Sequence, residues 1–331
     1  MIKSVLVTGG AGYVGAVLVP KLLKKGYKVK VVDWYIYNRE VFDDHKKNKN
    51  LKEIKGDIRD RKLLGKELRG VDAVIHLACI SNDPSFELDP KLGKSINYDA
   101  TVLIGDLSKK LGVRRLIYAS SSSVYGVKKE KNVHENLSLA PLTDYSKYKV
   151  LSEKYLLSKQ GHDFNVLILR PSTVCGYSPR LRLDLTVNIL TIQALVNKKM
   201  TVFGGSQMRP NIHIEDMADL YVKTLEYKDA AIAGKVFNAG YDNYSVLDIA
   251  KRIKKTLRDK SIEIKIVPSS DNRSYHVSSG RIAKELGFRA RHSVEEAIGD
   301  LARAYKKGMI PEALTNKQYY NIKTMQALGT I

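Results

Sequence analysis

The segment Thr8-Gly-Gly-Ala-Gly-Tyr-Val-Gly15 constrains this chain more than any other. It follows a short apolar, β-branched run at residues 3–8 and precedes an apolar-periodic stretch at residues 13–25, so it joins a buried strand to a helix. Gly9, Gly12 and Gly15 keep a spacing that permits a tight turn, close backbone approach to a pyrophosphate, and close packing of helix on strand. The helix start offers its unpaired N–H groups to the anion. A second strand, at residues 28–32, ends in Asp33, an acidic residue about 20 positions on, where ribose hydroxyls sit in a dinucleotide site. A carboxylate there repels a 2′-phosphate and favours NAD over NADP, while Arg39 nearby pulls the other way.

The alternation continues. Residues 51–54, 73–77, 115–119 and 165–169 read as strands, and residues 60–68, 90–111 and 145–159 as helices. This βαβα order predicts an α/β fold, a Rossmann-type doubly wound parallel sheet covered on both faces. Ligands in such sheets lie off the carboxyl ends of the strands, where Gly9 to Gly15, Asp33, Asp57, His76 to Cys79 and Ser120 to Ser123 all fall. Beyond Arg170-Pro171 the strict alternation fades. Residues 171–185 read as irregular and 201–205 as a short apolar piece with a Gly-Gly turn. Helices are expected at 186–196, 214–226, 246–257, 280–287 and 294–307, with strand-like pieces at 236–238 and 262–267. The expected organisation is a dinucleotide-binding domain over 1–170 and a smaller C-terminal α/β substrate-binding lobe over 171–310, some of which returns to the first domain. Residues 311–331 form a polar tail with no assigned role.

A second cluster carries chemistry. Tyr145 and Lys149 stand four residues apart on a helix, hence on one face. A free phenol titrates at about pH 10, and a neighbouring ammonium favours its phenolate, which makes the pair a poised base. The hydroxyl-rich strand end Ser120 to Ser123 stands upstream of it.

Composition narrows the alternatives. The 331 residues are 44% hydrophobic and 27% charged, ordinary for a globular protein. The N-terminus does not read as an export signal, and no stretch is apolar enough for a membrane span, so a cytoplasmic location is expected. The cysteines, Cys79 and Cys175, are far apart and flanked by apolar residues; they are expected to be buried small side chains, with no metal site. The net charge of +21 is spread over lysine pairs without aromatic interleaving, which predicts a solvated surface that attracts phosphate-bearing molecules and no nucleic-acid partner.

Together these motifs resemble the extended short-chain dehydrogenase/reductase family, specifically its nucleotide-sugar epimerases and dehydratases, over residues 2–308. The resemblance implies that Gly9, Gly12 and Gly15, with the backbone at Tyr13 and Val14, contact the NAD pyrophosphate. It places Asp33 on the adenosine ribose, Asp57 and Ile58 at the adenine, Leu77 and Ala78 on the path to the nicotinamide, and Asn97 in support of the cofactor. Ser121, four residues before the Tyr of Val-Tyr-Gly, matches the catalytic hydroxyl. Tyr145 matches the acid/base, and Lys149 the residue that binds nicotinamide ribose and lowers the phenol pKa. Family members that eliminate water across C5 and C6 carry an Asp-Glu pair just after the catalytic hydroxyl; Ser122 and Ser123 stand here and cannot do that work. Dehydratase chemistry is therefore disfavoured, and Ser122 is counted with the substrate contacts.

The resemblance also implies substrate contacts at Thr173, Asn188 and Arg209. Two Arg-rich segments depart from the usual pattern: Arg180 and Arg182, and Arg273. Both suit a diphosphate or a sugar carboxylate. The expected activity is epimerisation of a nucleotide-diphosphate sugar by transient oxidation at C4. The alternatives are a C4 dehydrogenase or reductase sharing the same groups and a non-catalytic dinucleotide-sensing or RNA-binding member of the fold. A homodimer packed through helices around 95–111 and 146–160 is expected from the same resemblance.

Overall fold

A computed structural model describes residues 2–37, 40–269 and 274–329. Its strands in chain order are β1 (Ser4–Thr8), β2 (Lys28–Asp33), β3 (Leu51–Lys55), β4 (Ala73–His76), β5 (Arg115–Ala119) and β6 (Asn165–Pro171). After these come β7 (Thr173–Cys175), β8 (Lys199–Phe203), β9 (Met208–His213), β10 (Lys235–Ala239), β11 (Asp242–Ser245) and β12 (Glu263–Val267). Seven of them form one sheet in the order β10-β6-β5-β4-β1-β2-β3, every pairing parallel. The order reverses between β1 and β4, which opens a crevice beyond their carboxyl ends.

Period-two alternation divides the sheet's side chains between two apolar cores. Val5, Val7, Ile75, Ile117 and Leu167 pack on one face, and Leu6, Val74, Leu116, Val166 and Ile168 on the other. Both sets are fully buried, which is why these strands read as continuous apolar runs.

The smaller lobe has its own core. Leu190 and Ala194 of the helix Thr186–Asn197, Ile249 and Ile253 of Val246–Leu257, and Ala297 and Ile298 of Val294–Lys306 surround Met200 and Val202 of β8. Strand β8 pairs in parallel with β12, and β11-β9-β7 make a small mixed sheet.

Several local expectations are corrected. Residues 171–185 are not wholly irregular, because Thr173, Val174 and Cys175 pair with Asn211, Ile212 and His213. Strands β9 and β11 are too short and too polar to show a two-residue period. The helix expected over 90–111 is interrupted by a π-helical turn at Ser95–Asp99, and the preceding loop holds a short helix, Asp83–Glu87. The first helix starts at Gly15 instead of residue 13, because residues 9–14 are used in the turn. Finally, the tail contains a helix, Asn321–Leu328.

Candidate active site

The crevice is a cavity of about 750 Å³. The turn after β1 forms its floor. Gly9 has φ +71°, and a Cβ there would come within 2.5 Å of the Ala78 backbone. A Cβ on Gly15 would meet Gly10 O at 2.2 Å. These two glycines are therefore demanded by packing of the turn. Gly12 differs: a Cβ there would meet only Gly9 O, at 3.1 Å, yet Gly12 lines the cavity. The helix that follows, Gly15–Lys24, has no side-chain cap and no acidic residue in its first turn. Ala16 N and Val17 N donate to Gly12 O (2.9 Å) and Val14 O (3.1 Å), so what the helix start offers an anion is mainly its positive dipole end.

Asp33 lines the same cavity. Its carboxylate accepts hydrogen bonds from Ala11 N (3.0 Å) and Tyr35 N (2.8 Å), which ties the turn to the end of β2 and leaves acceptor capacity for a ribose. Burial raises its pKa, opposed by those N–H groups and by the charge of Arg180. Trp34, Ile36, Tyr37, Gly56 and Ile58 complete this end. Asp57 does not line the cavity: Arg59 holds its carboxylate through Nε (3.1 and 3.0 Å) and Nη2 (2.6 Å). Asp57, expected at the adenine, therefore stands beside this end of the cavity between Gly56 and Ile58 with its carboxylate paired to Arg59. These groups (an uncapped helix start, a side-chain-free approach at Gly12 and a partly buried carboxylate at a strand end) fit a dinucleotide.

At the other end Tyr145, Lys149, Ser121, Ser122 and Ser123 line the cavity with Leu77, Ala78 and Thr173. Lys149 Nζ donates to Ala119 O at 2.6 Å and stands 4.9 Å from the Tyr118 ring centre and 5.8 Å from that of Tyr145. Burial raises the Tyr145 phenol above its ordinary value, and the charge of Lys149 works against that shift. Lys149 thus acts on the phenol with the expected sign, lowering its pKa, while desolvation is the larger influence. Ser121 Oγ accepts from Ser123 N (3.1 Å) and Ser123 Oγ (2.9 Å), so its own proton remains to be donated.

The helix that carries Tyr145 and Lys149, Asp144–Ser158, is fixed in rotation at three levels. Thr143 caps it and donates to Asp83 Oδ1 at 2.6 Å. Ser152 Oγ donates to Asn97 O at 3.0 Å, a carbonyl that belongs to the π-helical turn. Glu153, one turn beyond Lys149, accepts from Ser120 Oγ and forms a buried ion pair with Arg170, Nη2 to Oε2 2.6 Å. Arg170 also donates to Tyr125 OH (2.8 Å), which donates to Asn238 Oδ1 (2.7 Å). One polar chain thus ties the helix to β5, β6 and β10. Glu153 escaped the sequence reading; its spacing of four from Lys149 was the available signal.

The remaining expected residues divide. Tyr13 and Val14 line the cavity, and Tyr13 OH donates to Gly176 O at 2.6 Å. Arg180, Arg182 and Arg209 also line it. Arg182 is chelated by Asp184 (Nε–Oδ1 2.9 Å, Nη2–Oδ2 3.1 Å). Asn97 and Asn188 lie behind the wall. Asn97 exchanges hydrogen bonds with the Ile80 backbone (2.8 and 3.0 Å). Asn188 accepts from Gly176 N (3.0 Å) and donates to Tyr13 OH (3.0 Å) and Arg182 O (2.9 Å), so its amide is committed to the loop and not to a ligand. Arg273 and Arg39 lie outside the described residues. Cys79 is corrected too, being half-buried on the cavity wall, whereas Cys175 is fully buried.

The family profile for the NAD dependent epimerase/dehydratase family matches residues 5–240. The chain belongs to that family, and NAD is its cofactor. It is 29% identical to UDP-glucose 4-epimerase 2 of Arabidopsis thaliana over 91% of this chain and 94% of that one. Among solved structures it resembles UDP-glucuronic acid 4-epimerase from Bacillus cereus in complex with UDP-glucuronic acid and NAD, at 27% identity. That match has a TM-score of 0.82 and covers 92% of this chain and 99% of the other. A dTDP-glucose 4,6-dehydratase from Streptomyces venezuelae shares the fold, with TM-score 0.84, 24% identity and coverage of 94% and 100%.

No described helix is long and apolar enough to cross a membrane.

Proposed function

We propose that this protein is an NAD-dependent epimerase of a uridine-diphosphate sugar that inverts C4. The observation that carries the reading is the set of groups at one end of the cavity: Tyr145 and Lys149 beside Ser121, with serines and no acid–base pair at positions 122 and 123. The similarity to UDP-sugar 4-epimerases supports the choice of nucleotide and of carbon. NAD, when bound, would supply a reversible hydride acceptor for the sugar carbon. Tyr145 takes the proton of the C4 hydroxyl and later gives it back. Ser121 donates to the same sugar oxygen and orients it. Lys149 holds its ammonium beside the phenol and stabilises the phenolate. Ser122 and Ser123 offer no group able to remove a C5 proton near neutrality, so the keto sugar persists until hydride returns.

The test is incubation of the purified protein with UDP-glucose, UDP-glucuronic acid and UDP-N-acetylglucosamine, and with GDP-, CDP- and dTDP-sugars, resolving C4 epimers by chromatography. Interconversion of one UDP pair without net NADH is the expected result; stoichiometric NADH with release of a keto sugar would show a dehydrogenase instead. In the active assay Ser121→Ala should lower kcat by about 10- to 1,000-fold with bound NAD unchanged. An unaffected rate would remove Ser121 from the chemistry.

We further infer a homodimer through the helices Ala100–Lys110 and Asp144–Ser158, where Leu151 is exposed. Gel filtration with light scattering should give twice the 37.1 kDa chain mass, and a monomer mass at micromolar concentration would contradict it.

A further inference from the structure

Part of the cavity wall comes from the C-terminus. Asn321, Ile322, Met325 and Gln326 line it. The tail docks against the Arg-rich loop, where Leu183 N donates to Tyr319 O at 2.8 Å. Within this contact Asn321 Oδ1 accepts from Arg180 Nη2, and Asn321 Nδ2 donates to Ser81 Oγ at 2.8 Å. Arg180 is only 3% exposed and lies over the Tyr37 ring, 3.9 Å from its centre. Its Nε and Nη1 have no hydrogen-bond partner among the described residues. Other buried arginines here are matched by carboxylates, Arg170 by Glu153 and Arg182 by Asp184.

A buried guanidinium with two idle donors is costly unless an anion arrives. Burial and the adjacent Arg182 charge accordingly pull the Arg180 pKa down, to about 10. Nε and Nη1 sit on different edges of the guanidinium plane, so they suit separate oxygens of a diphosphate better than one carboxylate. The residue at 321 matters for the same reason. An amide oxygen occupies one N–H of Arg180 without cancelling its charge, which a carboxylate would do.

We propose that Asn321 is a positioning residue that holds Arg180 as a diphosphate receptor, so that the helix Asn321–Leu328 completes the binding site. The diphosphate belongs to the dinucleotide or to the nucleotide sugar, and the inference rests on the function proposed above. The test uses the full-length protein and its Arg180→Gln, Asn321→Ala and Asn321→Asp variants. NAD affinity is read from quenching of Trp34, the sole tryptophan and a cavity-lining residue. UDP affinity is read by calorimetry on NAD-loaded protein. Arg180→Gln and Asn321→Asp should weaken one of the two ligands by about tenfold or more, the loss of a charge-assisted bond. Asn321→Asp should do so at an unchanged melting temperature, which a purely structural role would not produce. Loss confined to NAD assigns the cofactor's pyrophosphate, and loss confined to UDP assigns the sugar nucleotide. Wild-type affinity for both ligands in Arg180→Gln and Asn321→Asp overturns the proposal. Wild-type protein that binds NAD and UDP but turns over no sugar would sink the proposed function alone.

Discussion

Tyr145→Phe should lower turnover by about 10²- to 10⁴-fold, the usual scale of a lost acid–base group, while bound NAD is retained. The phenol is partly buried on the cavity wall with the Lys149 ammonium 5.8 Å from its ring centre, and removing the hydroxyl leaves that packing intact. The sign of the pH dependence follows from the same environment. The acting base is the phenolate, and burial favours the neutral phenol, so the wild-type rate should rise with pH on its acidic limb. That limb should vanish in the residual activity of the Phe variant. Full turnover by Tyr145→Phe, or a wild-type rate flat from acid to alkaline pH, would take the proton away from this residue.

The second large effect is on stability. Arg170→Met should destabilise the protein by about 3–5 kcal/mol, because it strands the Glu153 carboxylate in a site that is only 3% exposed. Glu153→Gln should act in the same direction by stranding the guanidinium. Replacing both together with Met and Leu should recover much of the loss, since an apolar pair of similar volume avoids desolvating two charges. Denaturant titration of the three variants measures this. Single variants within about 1 kcal/mol of wild type would mean that the pair is hydrated in solution. Activity should fall as well, because Glu153 is one turn from Lys149 and anchors it to β5 through Ser120.

The parallel sheet was legible because each strand is buried on both faces and so appears as an unbroken apolar run. Gly9 to Gly15, Asp33, Tyr145 and Lys149 were legible because their spacing reflects local geometry. The segments that were misread share another property. Strands β9 and β11 contain Asn211, Asn243 and Ser245, and only their pairing with each other and with β7 makes them strands. The π-helical turn at Ser95–Asp99 adds a residue to an otherwise ordinary helical pattern; it is marked by the Ala100 N–H donating to Ser95 O, a backbone bond that leaves no trace in the spacing of apolar residues.

The sequence by itself determined the dinucleotide site and the class of chemistry, because a strand, a turn and a helix start carry their instructions within about 30 residues. It determined equally that positions 122 and 123 hold no acid–base pair. Only the tertiary structure decided which arginine is spoken for. Arg180 and Arg182 stand two apart in the same loop and look alike in the chain, yet one is chelated by Asp184 and the other is held by an asparagine 141 positions away. Charge in a buried site is set by what surrounds it, and those partners come from distant segments brought together by packing.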